Sequence, residues 1–110
     1  MSLIENKRVL VVEDTTIAAT YLARELTTLG AQVVGLARSE EQAIAMTDEF
    51  SPELILMDIH LADGGNGIEA VRQINQKHTL PIVYTTSFSD DTTLEQALET
   101  SPYGYIVKPF

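Results

Sequence analysis

Short aliphatic runs alternate along this chain with longer stretches in which apolar positions recur every three or four residues. Val9-Leu10-Val11-Val12 is a continuous apolar run of the kind buried on both faces of a parallel sheet. Asp14 stands where an N-cap would open a helix over residues 15–29, with Ala18, Leu22, Leu26 and Leu29 on one stripe and Gly30 closing it. Residues 33–37 read as a second strand. Ser39 followed by Gln42 is a capping-box signature for a helix over 40–50. After Pro52, residues 54–57 form a third strand that ends at Asp58. The glycine-rich segment 62–67 is a loop, and 68–77 is a helix with Ile68, Val71 and Ile74 on one side. Pro81 opens a fourth strand over 82–85. Asp90 or Asp91 caps a helix over 92–100 with Leu94, Ala97 and Leu98 inward, and 103–107 is a fifth strand stopped by Lys108-Pro109.

Five strands interleaved with four helices imply repeated βαβ units. The expected architecture is α/β, a flavodoxin-like doubly wound parallel sheet of five strands in the order 2-1-3-4-5. Such a sheet ordinarily closes with a fifth helix, and the sequence stops at Phe110 before one. The expectation is therefore one domain over 1–110, truncated before that helix. Either the sequence is an excerpt of a longer polypeptide, or another chain covers the sheet near the last strand.

Ligands of open α/β sheets bind beyond the carboxyl ends of the strands. Glu13 and Asp14 follow the first strand, Asp58 the third, Thr86 the fourth and Lys108 the fifth. With the order above, these residues crowd one rim. Three carboxylates so close repel one another unless a cation neutralises them. Oxygen ligands without Cys or His suit Mg²⁺ or Mn²⁺ better than zinc. Thr86 can donate to a phosphoryl oxygen and Lys108 can supply a positive charge to it.

Composition narrows the classes further. The 110 residues are 45% hydrophobic and 21% charged, as in one globular domain. A net charge of −9 with only 7 Lys and Arg argues against direct nucleic-acid binding. There is no cysteine, so neither disulfides nor thiolate metal sites arise, which is compatible with a reducing cytoplasm. No apolar run approaches the ~20 residues of a membrane helix, and Met1-Ser2-Leu3 shows no signal-peptide pattern. A cytoplasmic location is expected.

Four motifs carry a family likeness: Val9-Leu10-Val11-Val12-Glu13-Asp14, Leu54-Ile55-Leu56-Met57-Asp58, Pro81-Ile82-Val83-Tyr84-Thr85-Thr86-Ser87, and Gly104-Tyr105-Ile106-Val107-Lys108-Pro109-Phe110. In this order and spacing the chain resembles the receiver domains of two-component response regulators over essentially its whole length. The resemblance implies that Asp58 is the phosphoacceptor, loaded by a histidine kinase or a phosphotransfer protein. Glu13, Asp14 and Asp58 would hold Mg²⁺ together with the main-chain carbonyl of His60. Thr86 and Lys108 would bind the phosphoryl group, and Tyr105 would be the aromatic that turns with Thr86 when the state changes. The switch hydroxyl falls on Thr86, not Thr85. Phosphorylation would alter an output surface formed by the fourth helix and fifth strand, with homodimerisation one possible consequence. Catalysis would be confined to self-phosphorylation and self-dephosphorylation.

The chain departs from the common pattern at three places. Glu13 replaces the more frequent aspartate, Ala62 stands where proline is common in a loop one residue longer than usual, and the last helix is missing. Asp58-Ile59-His60-Leu61-Ala62-Asp63-Gly64 and Pro102-Tyr103-Gly104-Tyr105 are more similar to receivers fused to sensor or histidine-kinase modules.

Taken singly, these residues have plainer readings. Asp14 would cap a helix, Asp58 a turn, and Thr86 would be a strand residue. Lys108 would be surface charge, Tyr105 a half-buried aromatic, and His78 a helix-end residue interacting with the dipole. Their convergence on one rim is what those readings leave unexplained. His60 and Phe88 flank the site and could modulate water access. A degenerate receiver that docks a partner without phosphorylation is the alternative, disfavoured by the complete set Asp14, Asp58, Thr86 and Lys108. A phosphatase of the haloacid-dehalogenase kind would want Asp-x-Asp, and position 60 is His. A flavodoxin would place no acids where a flavin phosphate needs donors.

Overall fold

The structure, a computed structural model, describes residues 4–86 and 91–107. Its elements in chain order are β1 (Arg8–Val12), α1 (Thr16–Thr28), β2 (Gln32–Ala37), α2 (Glu40–Phe50), β3 (Leu54–Asp58), a 3₁₀ turn (Ala62–Gly64), α3 (Gly67–Asn75), β4 (Ile82–Thr86), α4 (Asp91–Leu98) and β5 (Gly104–Val107). The strands form one sheet in the order β2-β1-β3-β4-β5, as the sequence pattern predicts, and every pairing is parallel.

The continuous apolar strands are explained by two cores, one on each face. Leu10, Val12, Ile55, Met57, Ile82 and Tyr84 face α2, α3 and Ala97 of α4. Val9, Val11 and Leu56 face Leu22 and Leu26 of α1. Alternate strand residues thus feed opposite cores, as a period of two requires. At the β5 edge, Tyr105, Ile106 and Val107 are between 42% and 48% exposed.

The helix ends depart from expectation in instructive ways. The N-cap of α1 is Thr15, not Asp14; the Thr15 hydroxyl accepts from the Ala18 amide at 3.4 Å. Asp14 is therefore spared from capping and its carboxylate is available elsewhere. At the other end, Gly30 has φ +95°, the Ala31 amide donates to Leu26 O, and the Gly30 amide donates to Thr27 O. This paired closure turns the chain so that Ala31, not Leu29, covers the core; Leu29 is exposed. Ala19, not Ala18, completes the buried stripe with Leu22 and Leu26.

For α2 the boundaries agree with the sequence reading, and the Ser39 hydroxyl accepts from the Gln42 amide at 3.1 Å. The Gln42 side chain reaches one residue further back than in a capping box and accepts from the Arg38 amide at 2.8 Å. Helix α3 begins at Gly67 and is capped by Asn66, whose Oδ1 accepts from the Ile68 amide at 2.7 Å. In α4, Ala97 is buried but Leu98 is exposed, because neighbouring helix positions point about 100° apart and the sheet takes only one of them. Asp90 lies outside the described residues, as do the side chains of Asp91 and Leu94.

His78 follows the end of α3 but does not merely face its dipole. Its Nε2 lies 2.7 Å from Asp48 Oδ1, tying α3 to α2.

Candidate functional site

The carboxyl ends of β1 and β3 adjoin in the sheet, so the residues that terminate them meet. Glu13 follows β1 directly and is buried, and Asp58 closes β3 and is buried as well. Asp14, half-buried, lies one residue further along. One carboxylate oxygen from each of Glu13, Asp14 and Asp58 lies within 4.8 Å of the others. The cluster expected from strand ends alone is therefore present.

Hydrogen bonds hold Glu13 and Asp58 in place. The Glu13 amide donates to Ala37 O of β2 at 2.9 Å, which fixes its register. The Thr15 hydroxyl donates to Glu13 Oε1 at 3.4 Å. Asp58 Oδ1 accepts from the His60 amide at 3.2 Å, so the turn after β3 aims the carboxylate. Ile59 N–H donates to Thr85 O at 3.2 Å and keeps β4 in step.

From the sequence Gly67 is one glycine of a loop, but in the structure it constrains the site. A Cβ there would fall on the Asp58 carbonyl oxygen and crowd Met57 Cγ. Only glycine lets α3 start against β3. The signal available in the sequence was its place directly after Asn66, a capping residue.

On β4, Asp58 is in register with Thr85, and both continue the alternation that faces α1. Thr86 occupies the alternate position, following Ile82 and Tyr84. Both threonines are buried. The Thr85 hydroxyl finds no hydrogen-bond partner among the described residues. Tyr105 pairs across from Tyr84 on β5 and is half exposed. The His60 side chain is exposed, and its main-chain amide is what touches Asp58. Lys108 and Phe88 lie outside the described residues.

Two buried carboxylates and a third beside them repel one another, and a cation among them would offset that repulsion. The donor set is oxygen only, open on one side through half-buried Asp14, and fits a small hard cation that keeps waters. No helix among the described residues is long and apolar enough to cross a membrane.

The description "response regulator receiver domain" matches residues 9–110. The chain belongs to that family. Receiver domains are parts of regulatory proteins, and the relatives bear this out. The chain is 34% identical over 104 residues to the transcriptional regulatory protein PdtaR of Mycobacterium tuberculosis, matching 94% of this chain and 50% of that protein. It is 33% identical over 103 residues to the phyllosphere-induced regulator PhyR of Methylorubrum extorquens, covering 93% of this chain and 38% of PhyR. It thus spans half or less of these relatives. Among solved structures, the signal receiver domain of a modulated diguanylate cyclase from Desulfovibrio desulfuricans superposes with a TM-score of 0.88 at 33% identity, covering 96% of this receiver and 83% of that chain.

Proposed function

We propose that this receiver accepts a phosphoryl group on Asp58 and uses it as a switch. The observation that carries the reading is the meeting of Glu13, Asp14 and Asp58 within 4.8 Å at adjoining strand ends. Residues 1–110 then act as one receiver domain of a cytoplasmic regulator, and the donor is a histidine kinase or phosphotransfer protein. Mg²⁺ (or Mn²⁺) would be held by Glu13, Asp14, Asp58 and the His60 carbonyl. When bound, the cation supplies charge neutralisation that lets an anionic nucleophile meet an anionic phosphorus.

The chain's own part follows. Asp58 Oδ forms a bond to phosphorus as the phosphorus–nitrogen bond of the donor phosphohistidine breaks, and the electron pair leaves with the imidazole. The hydrogen bond from His60 N–H to Oδ1 orients the carboxylate for that in-line attack. Thr86 and Lys108 bind the new phosphoryl oxygens. The movement of Thr86 toward them lets Tyr105 turn inward from its half-exposed position on β5. A partner reads the altered face of α4 and β5.

The test is incubation with acetyl phosphate and Mg²⁺ followed by intact mass measurement. Wild type should gain the mass of one phosphoryl group, and Asp58→Asn should gain none. No addition to wild type, or an equal addition to Asp58→Asn, contradicts the reading.

A further inference from the structure

The residue that follows β2 is Arg38, and its guanidinium reaches back across the chain to Asp14. Nε and Nη2 both donate to the Asp14 carbonyl oxygen, at 3.2 and 3.1 Å.

The main chain of Arg38 is itself anchored on two sides. Its amide donates to Gln42 Oε1 at 2.8 Å in the first turn of α2. Its carbonyl accepts from the Ala62 amide at 3.1 Å in the loop that follows the acceptor strand. The same junction makes a further tie, from the Asn66 amide to Glu40 Oε2 at 2.7 Å. One residue therefore links the loop bearing Asp14, the start of α2 and the loop beyond Asp58.

We infer that Arg38 is a positioning residue for the cation site: it holds the Asp14 peptide so that the Asp14 carboxylate stays turned toward Glu13 and Asp58. The need for such a hold follows from electrostatics. Three carboxylates within 4.8 Å repel, and Asp14 is the half-buried one, free to swing toward water. Glu13 and Asp58 are confined by burial. A planar fork with two donors on one carbonyl fixes the peptide in a way that a single flexible ammonium does not. Arg38 touches neither the cation nor the phosphoryl group. Its effect passes through Asp14, as supporting residues around metal ligands act. This inference rests on the reading of the acidic cluster as a cation site.

The test is calorimetric titration of Mg²⁺ into wild type, Arg38→Lys and Arg38→Met, with the acetyl phosphate rate measured separately at saturating Mg²⁺. Removing a positive charge would by itself tighten cation binding, so the two effects have opposite signs. Arg38→Met should weaken Mg²⁺ by about tenfold. Arg38→Lys loses the fork but keeps the charge, so it lacks that offset and should bind Mg²⁺ at least as weakly as Arg38→Met. The rate at saturating Mg²⁺ should stay within a factor of about two of wild type, since Arg38 acts on affinity and not on the reacting atoms. A merely structural role would lower the number of binding sites in the sample without changing the affinity of the folded fraction. Arg38→Lys binding as tightly as wild type, or Arg38→Met binding more tightly, overturns the inference while leaving the cation site intact. No Mg²⁺ binding by wild type overturns both.

Discussion

Gly67 at the start of α3 lies against the main chain of Asp58 so closely that the glycine's missing side chain is what permits the contact. The helix and β3 share one space, and the Gly67 amide donates to Ile59 O at 2.7 Å just beyond Asp58. Gly67→Ala should destabilise the fold by about 1–3 kcal/mol through overpacking. Gly104→Ala is the control, since a Cβ at Gly104 meets nothing within 4 Å. Urea denaturation compares them; a loss at Gly67 no larger than at Gly104 would contradict the packing argument.

The two adjacent threonines of β4 have different fates. Thr85 is buried, and its hydroxyl has no hydrogen-bond partner among the described residues. Replacing that hydroxyl by a methyl group removes an unsatisfied buried group. Thr85→Val should therefore leave stability unchanged or raise it by about 1 kcal/mol or less, with phosphorylation retained. Thr86→Val should slow acetyl phosphate labelling by about tenfold or more, because a donor to the phosphoryl oxygens is lost. Parallel melts and labelling rates decide the assignment, and the reverse pattern would move the switch hydroxyl to Thr85.

Charge neutralisation in the acidic cluster should act in opposite directions with and without cation. Asp14→Asn relieves repulsion, so in a chelator its melting temperature should rise by roughly 4–8 °C, about 1 kcal/mol. Mg²⁺ should raise the melting temperature of wild type and leave that of Asp14→Asn nearly unchanged. A variant that melts lower in chelator would mean that Asp14 contributes net stability without the cation.

Acid should loosen the link between α2 and α3. The Asp48 carboxyl is held below its ordinary value of 3.8, chiefly by its hydrogen bond to His78 and further by Lys77 nearby. A depressed carboxyl contributes stability that is fully present above the unfolded value and is lost as pH falls through the lower, folded one. The melting-temperature advantage of wild type over Asp48→Asn should thus persist at neutral pH and vanish as the solution is acidified below 3.8. Asp48 is exposed, so the advantage should be small and weakened by salt. An advantage that grows in acid would reverse the sign of this argument.

The sheet order and the acidic rim were legible because each rests on a periodic or positional rule. The unbroken apolar strands 9–12 and 54–57 announce burial on both faces, and the rule of strand termini then brings Glu13, Asp14 and Asp58 together. Helix ends were less legible because capping is decided by one torsion angle. Asp14 and Thr15 are both good caps, and only the structure shows that Thr15 takes the role and leaves Asp14 to the cluster. Leu29 fits the helical stripe, yet the turn at Gly30 gives its place to Ala31. The bond from His78 to Asp48 spans two helices and leaves no local trace in either segment. Arg38 was legible in principle, at the end of β2, but its target carbonyl is set by a loop path that no residue pattern specifies.

Reductive trapping of the phosphorylated protein tests the account most directly. Borohydride reduces an aspartyl phosphate to homoserine, which marks the acceptor in a peptide mass map. After treatment with acetyl phosphate and Mg²⁺, homoserine should appear at position 58 and at no other aspartate. Homoserine at position 14 instead, or a labelled protein in which position 58 is still aspartate, would contradict it.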